Sequence, residues 1–152
     1  MKRLAIAVAV LALVVAACGD SAGTTDNPRK IEIDAGDFAF NPGDIDISPG
    51  ETVEFIVTNT GVVAHEFVVT NQSEIDEHLE AGHATGHGDE DVANMDEMDG
   101  MEGMAAREVQ VEPGETKSLT ITFDDAGDLA RFACLIEGHY EAGMVGDFNF
   151  EG

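Results

Sequence analysis

Residues 49–59 read PGETVEFIVTN, and residues 113–123 read PGETKSLTITF. In the first, Val53, Phe55 and Val57 fall at every second position. In the second, Leu119, Ile121 and Phe123 alternate with Ser118, Thr120 and Thr122. Period two marks a strand with one face on a core, because successive side chains of an extended chain point to opposite sides. The Pro-Gly pair turns the chain into each strand. The shared PGET is open to two readings: a duplicated hairpin, or one turn geometry met twice by the same residues.

The same grammar extends in both directions. Ile31 and Ile33, then Phe38 and Phe40, alternate with other residues before a turn at Asn41-Pro42-Gly43, and Ile45 and Ile47 follow. HEFVVT begins at His65, and DLARFAC (128–134) and MVGDFNF (144–150) supply later strands. Seven to eight short strands at hairpin spacing predict an all-β fold, a Greek-key β-sandwich over residues 30–152. Residues 71–105 break the pattern. They carry eleven Asp or Glu and no Lys or Arg, with Gly82, Gly86, Gly88, Gly100 and Gly103 among them. Low hydrophobicity with high charge predicts a flexible acidic insertion.

The first residues read as an export signal. Lys2 and Arg3 precede an apolar run, Leu4–Ala17, that is short for a membrane span and ends in small residues. Residues 1–17 are therefore expected to be a signal peptide. Val15-Ala16-Ala17-Cys18 resembles the lipobox of bacterial lipoproteins, in which Cys18 becomes a lipidated N-terminus; the alternative is an ordinary signal peptide whose cleavage site ends at a Cys. Residues 18–29 are small and polar, the composition of a flexible linker. The expected location is the outer face of the cytoplasmic membrane or the periplasm, with a lipid anchor as the membrane contact. Lipidation of Cys18 leaves Cys134 as the lone thiol; a Cys18–Cys134 disulfide is the alternative. A formal net charge of −24 excludes nucleic acid as a partner and favours cationic partners or cations.

Residues 134–144, CLIEGHYEAGM, set Cys134, His139 and Met144 five positions apart. A thiolate, an imidazole and a weak thioether, with a second histidine from elsewhere, are the ligand types of a blue-copper electron-transfer centre. His65 stands at a strand start after the turn Gly61-Val62-Val63-Ala64 and is the framework's other histidine. Zinc is disfavoured because thioether is a poor zinc ligand. Catalytic use of Cys134 with His139 as base lacks an orienting third residue.

VTNTGVVAHEFVV (57–69) and CLIEGHYEAGMVGDFNF (134–150) resemble the strand-turn-His segment and the Cys-His-Met loop with final strand of cupredoxins of the plastocyanin/azurin family. The resemblance implies a type 1 copper with His65, Cys134 and His139 as strong equatorial ligands and Met144 as the weak axial one. Family members commonly carry Asn after the first ligand His; here Glu66 stands there. A carboxylate facing the ligand loops is expected to favour Cu(II) and lower the reduction potential.

The insertion has a copper-ligand composition of its own. His78, His83 and His87 lie within ten residues, and Met95, Met98, Met101 and Met104 recur at every third position. Thioethers bind Cu(I), and imidazoles with carboxylates suit Cu(II), so a second, labile copper region is expected there. The sequence favours a monomeric, non-enzymatic electron carrier working between redox partners, with cationic ones suited to its acidity. The alternative is a copper-handling protein that buffers, delivers or detoxifies the metal through the insertion, alongside other copper-handling proteins.

Overall fold

The computed structural model describes residues 22–81, 107–124 and 128–150. The described residues form β1 (Arg29–Gly36), β2 (Ala39–Asn41), β3 (Asp44–Ile47), β4 (Thr52–Asn59), β5 (His65–Thr70), α1 (Gln72–Glu80), β6 (Glu108–Val111), β7 (Thr116–Thr122), β8 (Arg131–Ala133) and β9 (Val145–Phe150). A four-stranded sheet in the order β2-β1-β4-β7 faces a five-stranded sheet in the order β3-β9-β8-β5-β6. This is the expected β-sandwich. It has nine strands among the described residues rather than seven or eight, for two reasons. Residues 29–47 divide into three strands, and the four-residue β6 lies beside the acidic segment, where its short alternation was not legible.

Alternation is realised at β4, which turns Val53, Phe55, Val57 and Asn59 inward. It pairs in parallel with β1, Ile31 opposite Phe55, and antiparallel with β7, Phe55 opposite Leu119. A slip of one residue would turn this whole set to solvent, so burial specifies the register. Between the sheets Phe40, Phe55, Phe67, Phe123, Phe132 and Phe148 stack, with neighbouring ring centroids 5.0–6.3 Å apart. Each such burial is worth about 1.5–3 kcal/mol.

The two PGET segments make one turn geometry twice. Glu51 and Glu115 donate their N–H to Ser48 and Glu112, and Gly50 and Gly114 both adopt φ +79°. Pro before a glycine of positive φ is the type II pattern. The Glu51 and Glu115 carboxylates accept the N–H of Ser48 and Glu112 in return, each at 3.0 Å. The repeat thus has a common physical function.

Two expectations about tethers change. The linker predicted over 18–29 is anchored at Gly23, which is buried, while Thr24–Asn27 stay exposed: Thr52 N–H donates to Gly23 O, and Gly23 N–H donates to Glu51. The flexible insertion predicted over 71–105 begins with helix α1. Asn71 caps it by accepting from Glu74 N–H at 3.0 Å, and Ile75 is fully buried against Val68, Ala133 and Leu135, with Leu79 and Tyr140 at the margin. A cap followed by apolar residues at i and i+4 outweighs the acidic composition here. Arg107, where the chain returns, binds Glu74 at 2.8 Å and Val69 O at 3.2 Å, so the two ends of the insertion are tied together. The expected signal peptide, Cys18 and the insertion beyond residue 81 lie outside the described residues. Among the described residues no helix is long and apolar enough to cross a membrane.

Candidate metal centre

One end of the sandwich gathers the start of β5, the end of β8 and the start of β9. β5 and β8 are antiparallel, as are β8 and β9, with Ala133 opposite Val145. That register sets Cys134 against Met144, whose carbonyl accepts the Cys134 N–H at 3.0 Å. Met144 N–H in turn donates to His139 O, and His139 N–H to Ile136 O, both at 3.0 Å. The segment 134–144 is thus closed on itself by its backbone. Gly138 and Gly143 adopt φ +83° and +101° directly before His139 and Met144, conformations that favour glycine.

These elements bring three side chains together. Cys134 Sγ lies 3.2 Å from His139 Nδ1, and His139 Nδ1 lies 3.3 Å from His65 Nδ1. All three donor atoms fall within 4.8 Å of one another, and all three residues are buried. Cys134 is a free thiol. Met144, fully buried, belongs to the same core cluster as Cys134.

The electrostatics suit a cation. Burial pushes the Cys134 thiol up to about 11, and the charge of Glu66 adds to this against N–H donation from Glu66 and Ile136. Burial lowers His65, and neighbouring His139 lowers it further, while Asp37 opposes both. Burial lowers His139 too, against the charges of Asp37 and Glu141. Both imidazoles are therefore neutral near pH 7, each with a lone pair to offer. Two ring nitrogens and a sulfur turned on one another cannot all be satisfied by mutual hydrogen bonds. A soft or borderline metal ion satisfies all three at once.

Glu66 touches this centre through its backbone, donating its N–H to Cys134 Sγ at 3.4 Å, and through its charge. His78 lies elsewhere, in the last turn of α1, and is not one of the three converging donors. His83, His87, Met95, Met98, Met101 and Met104 lie outside the described residues.

Four residues around the centre escaped the sequence reading. Asn59, buried, donates to Val63 O at 2.7 Å and Val111 O at 2.9 Å and accepts from Gly61 N–H at 2.8 Å, which fixes the loop leading to His65. Asn-Thr-Gly at a strand end was the available signal. Gly61 ends that same motif, whereas Asp37 and Phe38 had no such signal. Phe38, read as a strand position, instead occupies the β1–β2 turn with φ +66°, is 44% exposed, and sets its ring edge-on to His139 at 5.1 Å. A bulky residue in that conformation is strained, and such strain is held where surrounding structure enforces it.

Comparison with known proteins agrees with this geometry. A model of copper binding proteins of the plastocyanin/azurin family matches residues 28–151. The chain is 36% identical to the copper-resistant cuproprotein CopI of Pseudomonas aeruginosa, over 89% of this chain and 83% of that protein. It is 33% identical to the protein of the same name from Rubrivivax gelatinosus, over 84% of this chain and 68% of the relative. Its fold resembles reduced auracyanin from Roseiflexus castenholzii, with a TM-score of 0.55 and 19% identity over 86% of this chain and 100% of that one. It also resembles an azurin from Methylomonas sp. strain J, with a TM-score of 0.59 and 16% identity over 82% and 98%. Copper is the metal that fits both the donor set and these similarities. The chain belongs to the plastocyanin/azurin family of copper binding proteins.

Proposed function

We propose that this protein is an exported copper-handling protein that holds one copper ion with His65, Cys134, His139 and Met144. The observation that carries this is the convergence of a buried thiol and two imidazole nitrogens within 4.8 Å. The copper-resistant cuproproteins among its relatives support a role in copper tolerance ahead of simple electron carriage. The apolar run Leu4–Ala17 supports export, and Cys18 supports a lipid anchor.

Copper, when bound, supplies a one-electron Cu(I)/Cu(II) couple. The chain does the rest. Cys134 gives up its proton on loading and becomes the thiolate ligand. His65 and His139 present Nδ1 in neutral rings. The phenylalanine core excludes water from the sulfur side, and the hydrogen-bonded 134–144 segment resists rearrangement between oxidation states. Glu66 places negative charge near the thiolate and favours the oxidised ion.

Electron carriage is the second reading. His139 is the most exposed of the three converging residues, and its ring meets the exposed ring of Phe38. On this reading that edge is the route for electrons to a redox partner, and the acidic charge suits a cationic one.

The test is complementation of a gene-deletion strain on copper-containing medium. The full chain is expected to restore growth and Cys134→Ser is not, with both accumulating equally. Restoration by Cys134→Ser would remove the centre from copper handling. A chain lacking residues 82–106 then divides copper handling between its two candidate elements: retained tolerance assigns the work to the centre, and lost tolerance with an intact visible thiolate–copper band assigns it to the insertion.

A further inference from the structure

The two-residue turn between β1 and β2 touches both imidazoles of the centre, Phe38 on His139 and Asp37 on His65. Four observations converge on Asp37. His65 Nε2 is fully buried and has no hydrogen-bond partner. The nearest charge is Asp37 Oδ1 at 3.7 Å, longer than a hydrogen bond but short for electrostatics. That oxygen is itself held, accepting the Val62 N–H at 2.9 Å, so it is aimed rather than loose. Finally, a methyl group on Gly61 would stand 2.2 Å from Asp37 Oδ1 and 3.0 Å from His65 Nε2. Only a residue without a side chain lets the carboxylate and the imidazole approach.

We propose that Asp37 is the positioning residue of His65, holding its Nε2–H outward so that Nδ1 is left for copper, and biasing the centre towards Cu(II). This rests on the reading above that His65 binds copper through Nδ1. An imidazole that binds a metal through one nitrogen keeps its hydrogen on the other, and a carboxylate facing that hydrogen fixes both tautomer and ring orientation. Its negative charge also stabilises the more positive copper–imidazole unit. Phe38 braces the other ring from the same turn, so the strained backbone at Phe38 is part of how the turn reaches both.

Asp37→Asn tests this. The amide oxygen can still accept from Val62, so the turn keeps its shape while the charge is removed. Loss of an outer partner of a metal-bound histidine commonly costs about 10–100-fold in affinity. A tenfold loss of Cu(II) affinity relative to Cu(I) is expected, which for a one-electron couple raises the reduction potential by about 59 mV. The potential is measured by mediated titration of the copper-loaded full chain at low salt. Proton NMR of the Cu(I) form is the second measurement: the His65 Nε2–H is expected to resonate downfield in the wild type and to move upfield in the variant. A merely structural role would lower stability and move neither. A change in the Cu(II)/Cu(I) affinity ratio below threefold, or in the opposite direction, with the visible thiolate–copper band intact, overturns the proposal. A wild-type chain without a Cys134-dependent band overturns the copper reading beneath it instead.

Discussion

Replacing Asn59 by alanine is expected to cost the metal-free fold about 3 kcal/mol. The side chain satisfies two carbonyls, those of Val63 and Val111, and the Gly61 N–H. At about 1 kcal/mol net per hydrogen bond the three sum to this figure. The sites are unequal. Val111 is fully buried and its carbonyl loses its partner without water to replace it, whereas Val63 is 39% exposed and can be rehydrated. Against a total stability of about 5–15 kcal/mol the loss is large, and it corresponds to a melting-point fall of roughly 10–20 °C. Urea unfolding of the metal-free chain measures it, because bound copper would mask the change by mass action. Thr58→Ala on the same strand is the control: its hydroxyl meets that of Thr116 at 2.9 Å in an exposed pair, so its loss should lie within about 0.5 kcal/mol. An Asn59→Ala cost below about 1 kcal/mol, with an unchanged denaturant slope, would refute the claim that Asn59 fixes the loop before His65.

Three further outcomes follow from the same coordinates. Burial alone would raise the Glu51 carboxyl, but hydrogen bonds from Arg29, Ser48 and Gly23 outweigh it and hold it below the ordinary 4.5, so its contribution is full above that value and is lost as pH falls through the lower folded value. Denaturation of Glu51→Gln and wild type should show a stability gap near pH 7 that narrows below pH about 4; a constant gap would contradict the ion-pair account. Because the Cys134 thiol is pushed up to about 11 and both imidazoles are lowered, loading one copper near pH 8 should release about one proton, read by calorimetry in buffers of different ionisation enthalpy. No release would mean that the metal does not sit on the thiolate. Ile75→Ala should cost about 2–5 kcal/mol of local stability and speed amide exchange through α1, while leaving the visible copper band in place.

The family and the central donors were legible because their signals are local. Strand alternation lies within eight or so residues, and Cys134, His139 and Met144 lie in one loop. Helix α1 was also locally encoded, by the Asn71 cap with Ile75 and Leu79, but the acidic density around it outweighed that signal in the reading. Phe38 misled for a similar reason. Its spacing from Phe40 mimics strand alternation, while a positive φ in the turn carries its ring outward to His139.

The sequence by itself determined the β-sandwich class, the thiol–imidazole–thioether loop and the choice of copper over harder metals, because periodicity and donor chemistry belong to single residues and their near neighbours. The tertiary structure alone decided which charges and aromatic rings stand behind those donors. Asp37 and His65 are distant in the chain, and the Gly61 gap that admits one to the other exists only once β1 pairs with β4 and the sheet that carries β5 packs against them. Asn59 likewise joins β4 to β6 and to the loop before His65. Such contacts depend on sheet order, and sheet order is set by the burial of the whole core rather than by any one segment.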